Sequence, residues 1–254
     1  MPVHTTGWIS LPSGVRAARP CFAASDAHGD SGLLAAALVF AADTSAGHDL
    51  VLLGDLINRG PDPLGCVRLA LDARADQRFS AVSLLMGNHE QVMADYAAAP
   101  SPATAESLLS MGDRAIVAGS DDQEVLALVR EYASALIPWE VNGGLAFCHA
   151  LPDPSRRLGD QTDVSLYWNK AHQEYKGGWA ALIGAPCLLV HGHVRKAPLF
   201  GDGGLLGVMS GTREVMDGRG RLCCDAGAPA SGELHLYEFS GDGVRCHVFT
   251  RGTG

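Results

Sequence analysis

The chain has 254 residues, of which 47% are hydrophobic and 19% charged, and its formal net charge is −9. This balance is typical of a compact globular protein and excludes a largely disordered chain. The negative charge excludes the broad basic surface of nucleic-acid-binding proteins, so a site for phosphate would need a local source of positive charge, such as bound metal ions.

Five short apolar runs each end in a cluster of polar residues. They are bounded by turn-forming residues, which is the pattern of buried strands. In chain order they are Cys21–Ala24, Leu50–Leu53, Val82–Met86, Leu145–Cys148 and Cys187–Val190. Each predicted strand therefore presents functional groups at its C-terminal end.

Helices are predicted between these strands. Apolar residues recur at three- and four-residue steps, as an amphipathic helix requires. The predicted helices are Gly32–Ala42, Pro63–Ala75, Gln91–Ala98 and Asp121–Ala135, whereas the Ala/Pro/Ser-rich segment Ala97–Thr104 is predicted to be a loop. The alternation of strand and helix indicates an α/β architecture, in which ligands gather at the carboxyl ends of strands.

The C-terminal part has a different sequence pattern, with many glycines and short extended stretches. Two extended stretches, Glu233–Phe239 and Val244–Thr250, flank a Ser-Gly-Asp-Gly sequence that is a strong hairpin signal. We expect this hairpin to add antiparallel strands to the sheet. The chain shows no internal repeat, so we expect a single domain over residues 1–254, with residues 1–19 as an N-terminal extension.

The seven cysteines are scattered and include no Cys-x-x-Cys pair. This is the pattern of a reduced protein, and no continuous apolar segment near the N-terminus indicates a signal peptide. No stretch reaches the length of a membrane span. We therefore expect a cytoplasmic protein that binds neither nucleic acid nor membrane; the sequence does not indicate its oligomeric state.

The first polar cluster contains Asp26 and His28, followed by Gly29. A carboxylate and an imidazole two residues apart at a strand end are potential metal ligands, but an isolated pair of this kind is more often a hydrogen-bonded loop. The second cluster places Asp55 four residues before Arg59. A carboxylate can bridge two cations and a guanidinium can bind a phosphoryl group through two hydrogen bonds, although an ion-paired surface turn is the simpler alternative.

The remaining clusters add nitrogen ligands. Asn88 and His89 lie side by side after the third strand, where the amide is a plausible metal ligand and the imidazole a candidate proton donor. His149 follows the fourth strand, and either His191 or His193 can project from the fifth. Together with the two aspartates, these residues form an oxygen-and-nitrogen set suited to Mn, Fe or Zn.

This ordered set resembles the calcineurin-like metallophosphoesterases, and within them the phosphoprotein-phosphatase branch, closest to the bacteriophage lambda-type serine/threonine protein phosphatases. The resemblance spans about Cys21 to the C-terminus and implies a four-layer α/β-sandwich of mixed sheets flanked by helices. The motifs that carry it are Asp26-x-His28-Gly29, Gly54-Asp55-x-x-x-Arg59-Gly60, Gly87-Asn88-His89-Glu90-Gln91, Cys148-His149-Ala150, Tyr167-Trp168-Asn169, Gly192-His193 and Asp225-Ala226-Gly227.

The resemblance implies a pair of divalent metal ions, with Mn²⁺ expected first and Fe or Zn as alternatives, and no organic cofactor. Asp55 would bridge the two ions, and His191 would be a neighbour of the ligands or purely structural. Arg195 stands where metal-dependent nucleases and phosphodiesterases of the superfamily carry the last His of Gly-His-x-His, which favours the phosphatase branch. The implied metal ligands are Asp26, His28, Asp55, Asn88, His149 and His193.

The implied reaction is hydrolysis of phosphoserine, phosphothreonine or similar monoesters by in-line attack of a metal-bound hydroxide. Arg59 would bind the phosphoryl oxygens and His89 would protonate the leaving oxygen. Two residues depart from the family pattern, because Asn58 replaces an aspartate and Lys170 replaces an arginine. Asn58 cannot stabilise a charged His89, and we expect a lower His89 pKa and weaker activity on basic leaving groups. Lys170 offers only a point charge, or is merely a solvated surface residue.

Two other functions are compatible with these motifs. A symmetrical diadenosine-tetraphosphate hydrolase would share the metals, and that branch also lacks the aspartate at the position of Asn58, although it usually carries Asp at the position of Glu90. A non-catalytic phosphoprotein-binding module is the third possibility, but such a protein is expected to lose ligands, and all six are present here.

Overall fold

The computed structural model describes residues 3–119, 122–173, 175, 177–194 and 220–252. Its strands are β1 (Val3–Thr5), β2 (Ile9–Ser10), β3 (Cys21–Ala24), β4 (Asp49–Leu52), β5 (Val82–Leu85), β6 (Leu136–Ile137), β7 (Trp139–Asn142), β8 (Leu145–Cys148), β9 (Leu188–His191), β10 (Arg221–Cys223), β11 (Glu233–Ser240) and β12 (Gly243–Thr250). Its helices are α1 (Ser31–Thr44), α2 (Pro63–Ala75), α3 (Asn88–Ala98), α4 (Pro102–Ser110), α5 (Ala115–Ala118), α6 (Gln123–Ala135) and α7 (Ala228–Ser231).

The strands form two sheets. The larger has the order β1-β12-β11-β3-β4-β5-β6, with β2 also pairing with β12, and the smaller has the order β10-β9-β8-β7. In the larger sheet β3 to β6 are parallel, whereas β11 and β12 form the antiparallel hairpin that the Ser-Gly-Asp-Gly sequence predicts. The smaller sheet is also mixed, since β8, β9 and β10 are parallel and β7 is antiparallel.

Three apolar cores hold four layers together. The inner faces of the two sheets share one core, in which side chains such as Val51 and Phe147 are buried. The outer face of the larger sheet packs against α1, α2, α3 and α6, and the outer face of the smaller sheet packs against turns that include Trp179. The predicted α/β fold with two mixed sheets flanked by helices is confirmed.

Most predicted elements occur within a few residues of their expected bounds, but the predicted loop Ala97–Thr104 is too long, because only residues 99–101 lie outside helices. Helix α3 continues to Ala98, and α4 begins at Pro102. The side chain of Ser101 accepts a hydrogen bond from the Thr104 amide and Pro102 occupies the first turn, which is a helix N-terminus. Ser and Pro therefore mark the start of a helix here rather than a loop.

Two parts of the predicted N-terminal extension, residues 3–5 and 9–10, form β1 and β2, which both pair with β12. Among the described residues, no helix is both long enough and apolar enough to cross a membrane. The single-domain organisation stays a prediction.

Candidate metal centre

The predicted metal ligands and His89 all follow the carboxyl ends of strands. Asp26 and His28 follow β3, Asp55 follows β4, and His149 directly follows β8. Asn88 and His89 open α3 after β5, and His193 follows β9. Because β3, β4 and β5 run parallel, and β8 and β9 run parallel in the facing sheet, the two sheets deliver these side chains to one edge.

The backbone at this edge is unusual. In the described part of the chain, every non-glycine residue with a left-handed backbone belongs to the predicted site. Left-handed φ angles are costly for residues with a Cβ and cluster at functional sites. The six residues and their φ values are Asp26 (55°), His28 (45°), Asp55 (52°), Asn58 (69°), Arg59 (64°) and His193 (61°).

Asp55 lies at the centre of the site. Its Oδ1 is 3.3 Å from His149 Nε2, and its Oδ2 is 3.7 Å from His28 Nε2 and 3.8 Å from His89 Nε2. It belongs to two groups whose ligand atoms all lie within 4.8 Å of one another, one with His28 and His89 and the other with His149 and His193. One carboxylate shared by two groups is the arrangement that a bridging ligand requires.

The donor atoms around His149 fit a cation. Its Nδ1 is 2.8 Å from the Leu53 carbonyl oxygen, so Nδ1–H donates there and Nε2 carries a lone pair. That lone pair faces Asn88 Oδ1 at 3.2 Å and Asp55 Oδ1 at 3.3 Å. Three lone-pair atoms that face one another within this distance need a positive charge between them, and a divalent metal ion supplies it.

A proton is the alternative positive charge. Burial alone would lower the pKa of His149, but the Asp55 carboxylate outweighs burial and raises that pKa to about 10. Burial likewise opposes ionisation of Asp55, yet the adjacent imidazoles hold the pKa of Asp55 well below its usual range. The site thus favours an ionised Asp55 carboxylate together with a positive charge next to it, at the position of the proposed cation.

Asp26 lies beside the His28 ring and the backbone of His193. Asp26 Oδ1 is 3.7 Å from His28 Nε2, and both Asp26 oxygens accept from the His193 backbone N–H, at 3.3 and 3.1 Å. Burial, followed by the nearby negative charge of Asp225, raises the pKa of Asp26 well above its usual range. A bound cation would relieve this repulsion, so Asp26 fits a ligand role.

His28 and His193 are both held neutral, which is the form that binds metal. Burial lowers the pKa of His28 to about 4 and that of His193 to about 4. His28 Nδ1 contacts the Ile57 carbonyl oxygen at 3.2 Å, and His193 Nε2 contacts the Trp168 carbonyl oxygen at 3.2 Å. Each carbonyl accepts one ring N–H, so the other nitrogen keeps the lone pair that a metal ligand needs.

Arg59 lies next to the proposed metal ligands and is the candidate anion-binding residue of the site. Its guanidinium donates to His28 Nε2 and to His89 Nε2, both at 3.0 Å, and so lies between two rings whose centroids are 4.8 Å apart. The Arg59 backbone N–H donates to Gly112 O at 3.3 Å, which holds the turn. A planar fork of donors in this position is suited to the oxygens of a phosphoryl group.

Asn58 contacts His89 as expected, but through its nitrogen rather than its oxygen. Asn58 Nδ2 is 2.9 Å from His89 Nδ1, and Asn58 Oδ1 is buried without a hydrogen-bond partner among the described residues. With Arg59 donating to Nε2, a neutral ring would face donors on both nitrogens. A 180° flip of the Asn58 side-chain amide, which exchanges its oxygen and nitrogen, removes this conflict because His89 Nδ1–H then donates to Asn58 Oδ1. Either orientation fixes the plane of the His89 ring.

Glu90 has a role that the sequence did not reveal. It is fully buried, and its carboxylate accepts from the Asp55 backbone N–H at 2.6 Å and from the Leu56 N–H at 2.9 Å. Tyr132 of α6 donates to the same carboxylate at 3.4 Å. Glu90 therefore ties the start of α3 to the loop that presents Asp55, a contact that sequence spacing alone could not show.

The site opens into a cleft of about 380 Å³. Lys170 lines the cleft together with the metal-site residues, so the structure brings this predicted residue to the site. Gln173 and Asp225 also line it. Asp225 belongs to the Asp-Ala-Gly motif noted in the sequence, whereas no sequence signal pointed to Gln173.

His191 is buried beneath the site, with Nδ1 2.9 Å from the Gly192 carbonyl oxygen. Burial lowers its pKa to about 3. This position agrees with a structural role. Arg195 lies outside the described residues.

Comparisons with solved structures show the same fold. A candidate diadenosine tetraphosphatase matches with a TM-score of 0.57 at 19% identity, over 96% of this chain and 98% of the other. A cold-active protein-tyrosine phosphatase of a psychrophilic Shewanella species matches with a TM-score of 0.59 at 14% identity, over 90% and 77%. A metallophosphoesterase from Sphaerobacter thermophilus matches with a TM-score of 0.53 at 17% identity, over 92% and 89%.

These identities are low, so they establish the shared fold and not a shared substrate. No curated protein matches the chain. The family assignment comes from the sequence profile described as calcineurin-like phosphoesterase, which matches residues 20–208 and so covers the strand-end motifs. The chain belongs to the calcineurin-like phosphoesterase family, whose members are phosphoester hydrolases that use divalent metal ions.

Proposed function

We propose that the chain is a phosphomonoesterase with a binuclear metal centre. The observation that carries this proposal is the sharing of Asp55 between two groups of ligand atoms, with the Arg59 fork at hydrogen-bonding distance from one of them. A bridging carboxylate beside an anion-binding guanidinium supports phosphoryl transfer to water.

One ion would be held by Asp26, His28 and Asp55, and the other by Asp55, Asn88, His149 and His193. When bound, divalent cations polarise phosphoryl oxygens and lower the pKa of a coordinated water. Mn²⁺ is our first expectation, with Fe or Zn as alternatives, because a mixed oxygen and nitrogen set accepts several first-row metals.

The residues of the chain itself bind and orient the ester. The Arg59 guanidinium would move its two donors from the histidine rings to two phosphoryl oxygens. His89 would stand next to the leaving oxygen and donate a proton to it. Burial lowers the pKa of His89 to about 3, so the ring is neutral before substrate arrives, and Nε2 would have to take up a proton, for example from a monoester bound as its monoanion, before donating it. The negative charge of a bound phosphate monoester raises the proton affinity of the ring.

The proposed substrate is a phosphorylated serine or threonine side chain, or a small monoester of similar shape. The cleft of about 380 Å³ has room for a phosphoryl group and a side-chain-sized leaving group. Lys170 adds positive charge to the wall of the cleft in a chain whose net charge is −9. We also propose that the chain is most similar to lambda-type phosphatases, that it is located in the cytoplasm and that it forms a single domain.

A second candidate is symmetrical hydrolysis of diadenosine tetraphosphate. It is favoured by Asn58, since that branch also lacks an aspartate there, and by the candidate diadenosine tetraphosphatase, which matches over nearly the full length of both chains. Glu90 argues against it, because that branch usually carries the shorter Asp. The metal centre would be the same, so only the substrate separates the two candidates.

The deciding experiment removes metal with a chelator, restores Mn²⁺, and follows phosphate release from a phosphoserine peptide alongside cleavage of diadenosine tetraphosphate. His89→Ala is the matched variant, and bound metal is measured in both proteins. Removing a general acid is expected to slow peptide hydrolysis by roughly 10²- to 10³-fold while the metal content is kept.

Metal-dependent and His89-dependent phosphate release from the peptide would support the proposal. Faster cleavage of the dinucleotide would assign the protein to the second candidate. A protein that binds two equivalents of metal and the phosphopeptide, but turns over neither substrate, would be the non-catalytic binding module.

A further inference from the structure

Trp168 is an exposed aromatic residue that is nevertheless held in place beside the metal centre. Its relative exposure is 39%, which is high for such a large apolar side chain. Its indole Nε1–H donates to Gln91 Oε1 at 2.5 Å, and its carbonyl oxygen accepts from His193 Nε2 at 3.2 Å. One residue thus spans the distance from a proposed metal ligand to the first turn of α3, which carries Asn88.

The turn that carries Trp168 is also fixed. Residues Val164–Trp168 form a single π-helical turn, and Tyr167 within it is buried. The Ala150 N–H donates to the Leu166 carbonyl oxygen at 2.7 Å, next to His149, and the Asn169 side chain donates to the Leu151 carbonyl oxygen at 2.7 Å. The turn that presents the exposed indole is therefore anchored to the strand end that supplies a metal ligand.

Trp8 is the other tryptophan with a large exposed surface in the described part of the chain, but one face of its ring is covered and it lies away from the metal centre. Trp8 is 48% exposed, but its ring is covered by the Arg245 guanidinium at 4.6 Å from the ring centroid. It lines a separate depression with Ser240 and Asp242 at the hairpin turn. Exposure alone therefore does not distinguish Trp168; its position two residues before the cleft-lining Lys170 and its hydrogen bonds to α3 and to the proposed ligand His193 do.

We propose that Trp168 is a specificity-determining residue that favours phosphate monoesters carrying an aromatic ring close to the phosphoryl group. This inference rests on the proposed phosphomonoesterase function and concerns its small-monoester substrates, not phosphoserine or phosphothreonine. A fixed indole offers a flat apolar face on which a second ring can stack, and stacking is favourable beyond the area that it buries. Because the indole is already oriented, little conformational entropy is lost when the ring of a substrate packs on it.

The test uses two esters with similar leaving groups. Benzyl phosphate and cyclohexylmethyl phosphate are both primary alkyl esters, so the ratio of their kcat/KM values reports the ring and not the chemistry of the leaving oxygen. We expect the Mn²⁺-loaded protein to prefer the benzyl ester. In Trp168→Leu this preference should fall about five- to tenfold, whereas Trp168→Phe, which keeps an aromatic face, should retain most of it.

Trp8→Ala is the matched control, and it should leave both kcat/KM values unchanged. The cyclohexylmethyl ester serves as the internal control for folding and metal loading in the Trp168 variants. A ratio that is the same in the wild-type protein and Trp168→Leu, with both esters still turned over, would overturn the inference and leave the proposed function standing.

A binding measurement keeps the inference testable without turnover. Phenylphosphonate and cyclohexylphosphonate cannot be hydrolysed, and calorimetry gives their Kd values for the Mn²⁺-loaded protein. Tighter binding of the phenyl compound that disappears in Trp168→Leu supports the inference even if no ester is hydrolysed. Equal affinities in the wild-type protein contradict it.

Discussion

The metal centre at the strand ends and the rim segment Val164–Gln173 differ in how they are built. At the metal centre the side chains are almost all buried and are oriented by neighbouring backbone groups, as His149 is by Leu53. In the rim segment several side chains are exposed, including Val164 and Trp168. The two regions meet at the hydrogen bond between His193 and the Trp168 carbonyl oxygen.

This difference separates two tasks. A buried, hydrogen-bonded constellation can hold charge in one geometry, which phosphoryl transfer requires. An exposed rim can change its side chains without disturbing that geometry, which selection of a substrate requires. Substitutions at the metal centre should therefore lower activity on every ester by orders of magnitude, whereas substitutions at the rim should change the affinity for substrate or the choice among esters.

The largest effect is expected at Asp55. Asp55→Asn removes the charge that the two ligand groups share, so we expect kcat/KM to fall by at least about 10³-fold and bound Mn²⁺ to drop below two equivalents. Metal analysis and phosphate release measure both. Asp49→Asn is the control, because Asp49 is also a buried aspartate but is paired with Arg19 at the start of β4. Full activity in Asp55→Asn would refute the bridging role.

A smaller effect is expected at Glu90, which supports the ligands without touching substrate. Glu90→Gln keeps one acceptor oxygen for the Asp55 and Leu56 amides but loses the other, and we expect kcat/KM to fall roughly 10- to 100-fold with weaker metal binding. Glu140→Gln, at a half-buried glutamate that accepts from Ser83, should be nearly silent. If Glu90→Gln altered stability but not metal affinity, Glu90 would be purely structural.

Asn58 does not fit this division of roles, because it is buried at the metal centre yet is expected to influence the choice of substrate. In Asn58→Asp a carboxylate would face His89 and stabilise the protonated ring. We expect kcat/KM for alkyl phosphates to rise about fivefold relative to aryl phosphates, which need less help from an acid. An unchanged alkyl-to-aryl ratio would show that this contact does not tune proton donation.

The smallest effect is expected at Lys170 on the rim. Lys170→Ala removes one positive charge from the cleft wall, and we expect KM to rise about threefold with kcat unchanged, since exposed charge pairs contribute little. Lys170→Arg should lower KM through its planar fork. Arg156→Ala, at an exposed loop arginine paired with Asp153, is the control. An unaltered KM in Lys170→Ala would remove the residue from the site.

The sequence predicts the metal centre better than the rim for a physical reason. Ligands at strand ends follow the alternation of apolar runs and turns, so an α/β architecture with Asp26, Asp55 and His149 at strand ends could be expected from local pattern, whereas their assignment as one ligand set came from the family resemblance. The role of Glu90 could not, because its partners are backbone amides 34 and 35 residues earlier in the chain. The exposure of Trp168 and its contact with Gln91 likewise depend on tertiary packing.

The error at Ala97–Thr104 has a related cause. Small and polar residues are compatible both with a loop and with the first turn of a helix, and only the hydrogen bonds around Ser101 distinguish the two. The orientation of the Asn58 amide is similarly invisible in the sequence, because it depends on what Arg59 offers to the other side of the His89 ring.

The left-handed backbone at the six site residues implies a conflict between thermal stability and catalysis. Each such conformation costs about 1–3 kcal/mol in a residue with a side chain, and glycine would relieve most of that cost. A library of variants selected only for survival after heating should therefore be enriched in glycine at these positions, and the survivors should be inactive. Heat resistance and turnover would have to be selected together to improve this enzyme.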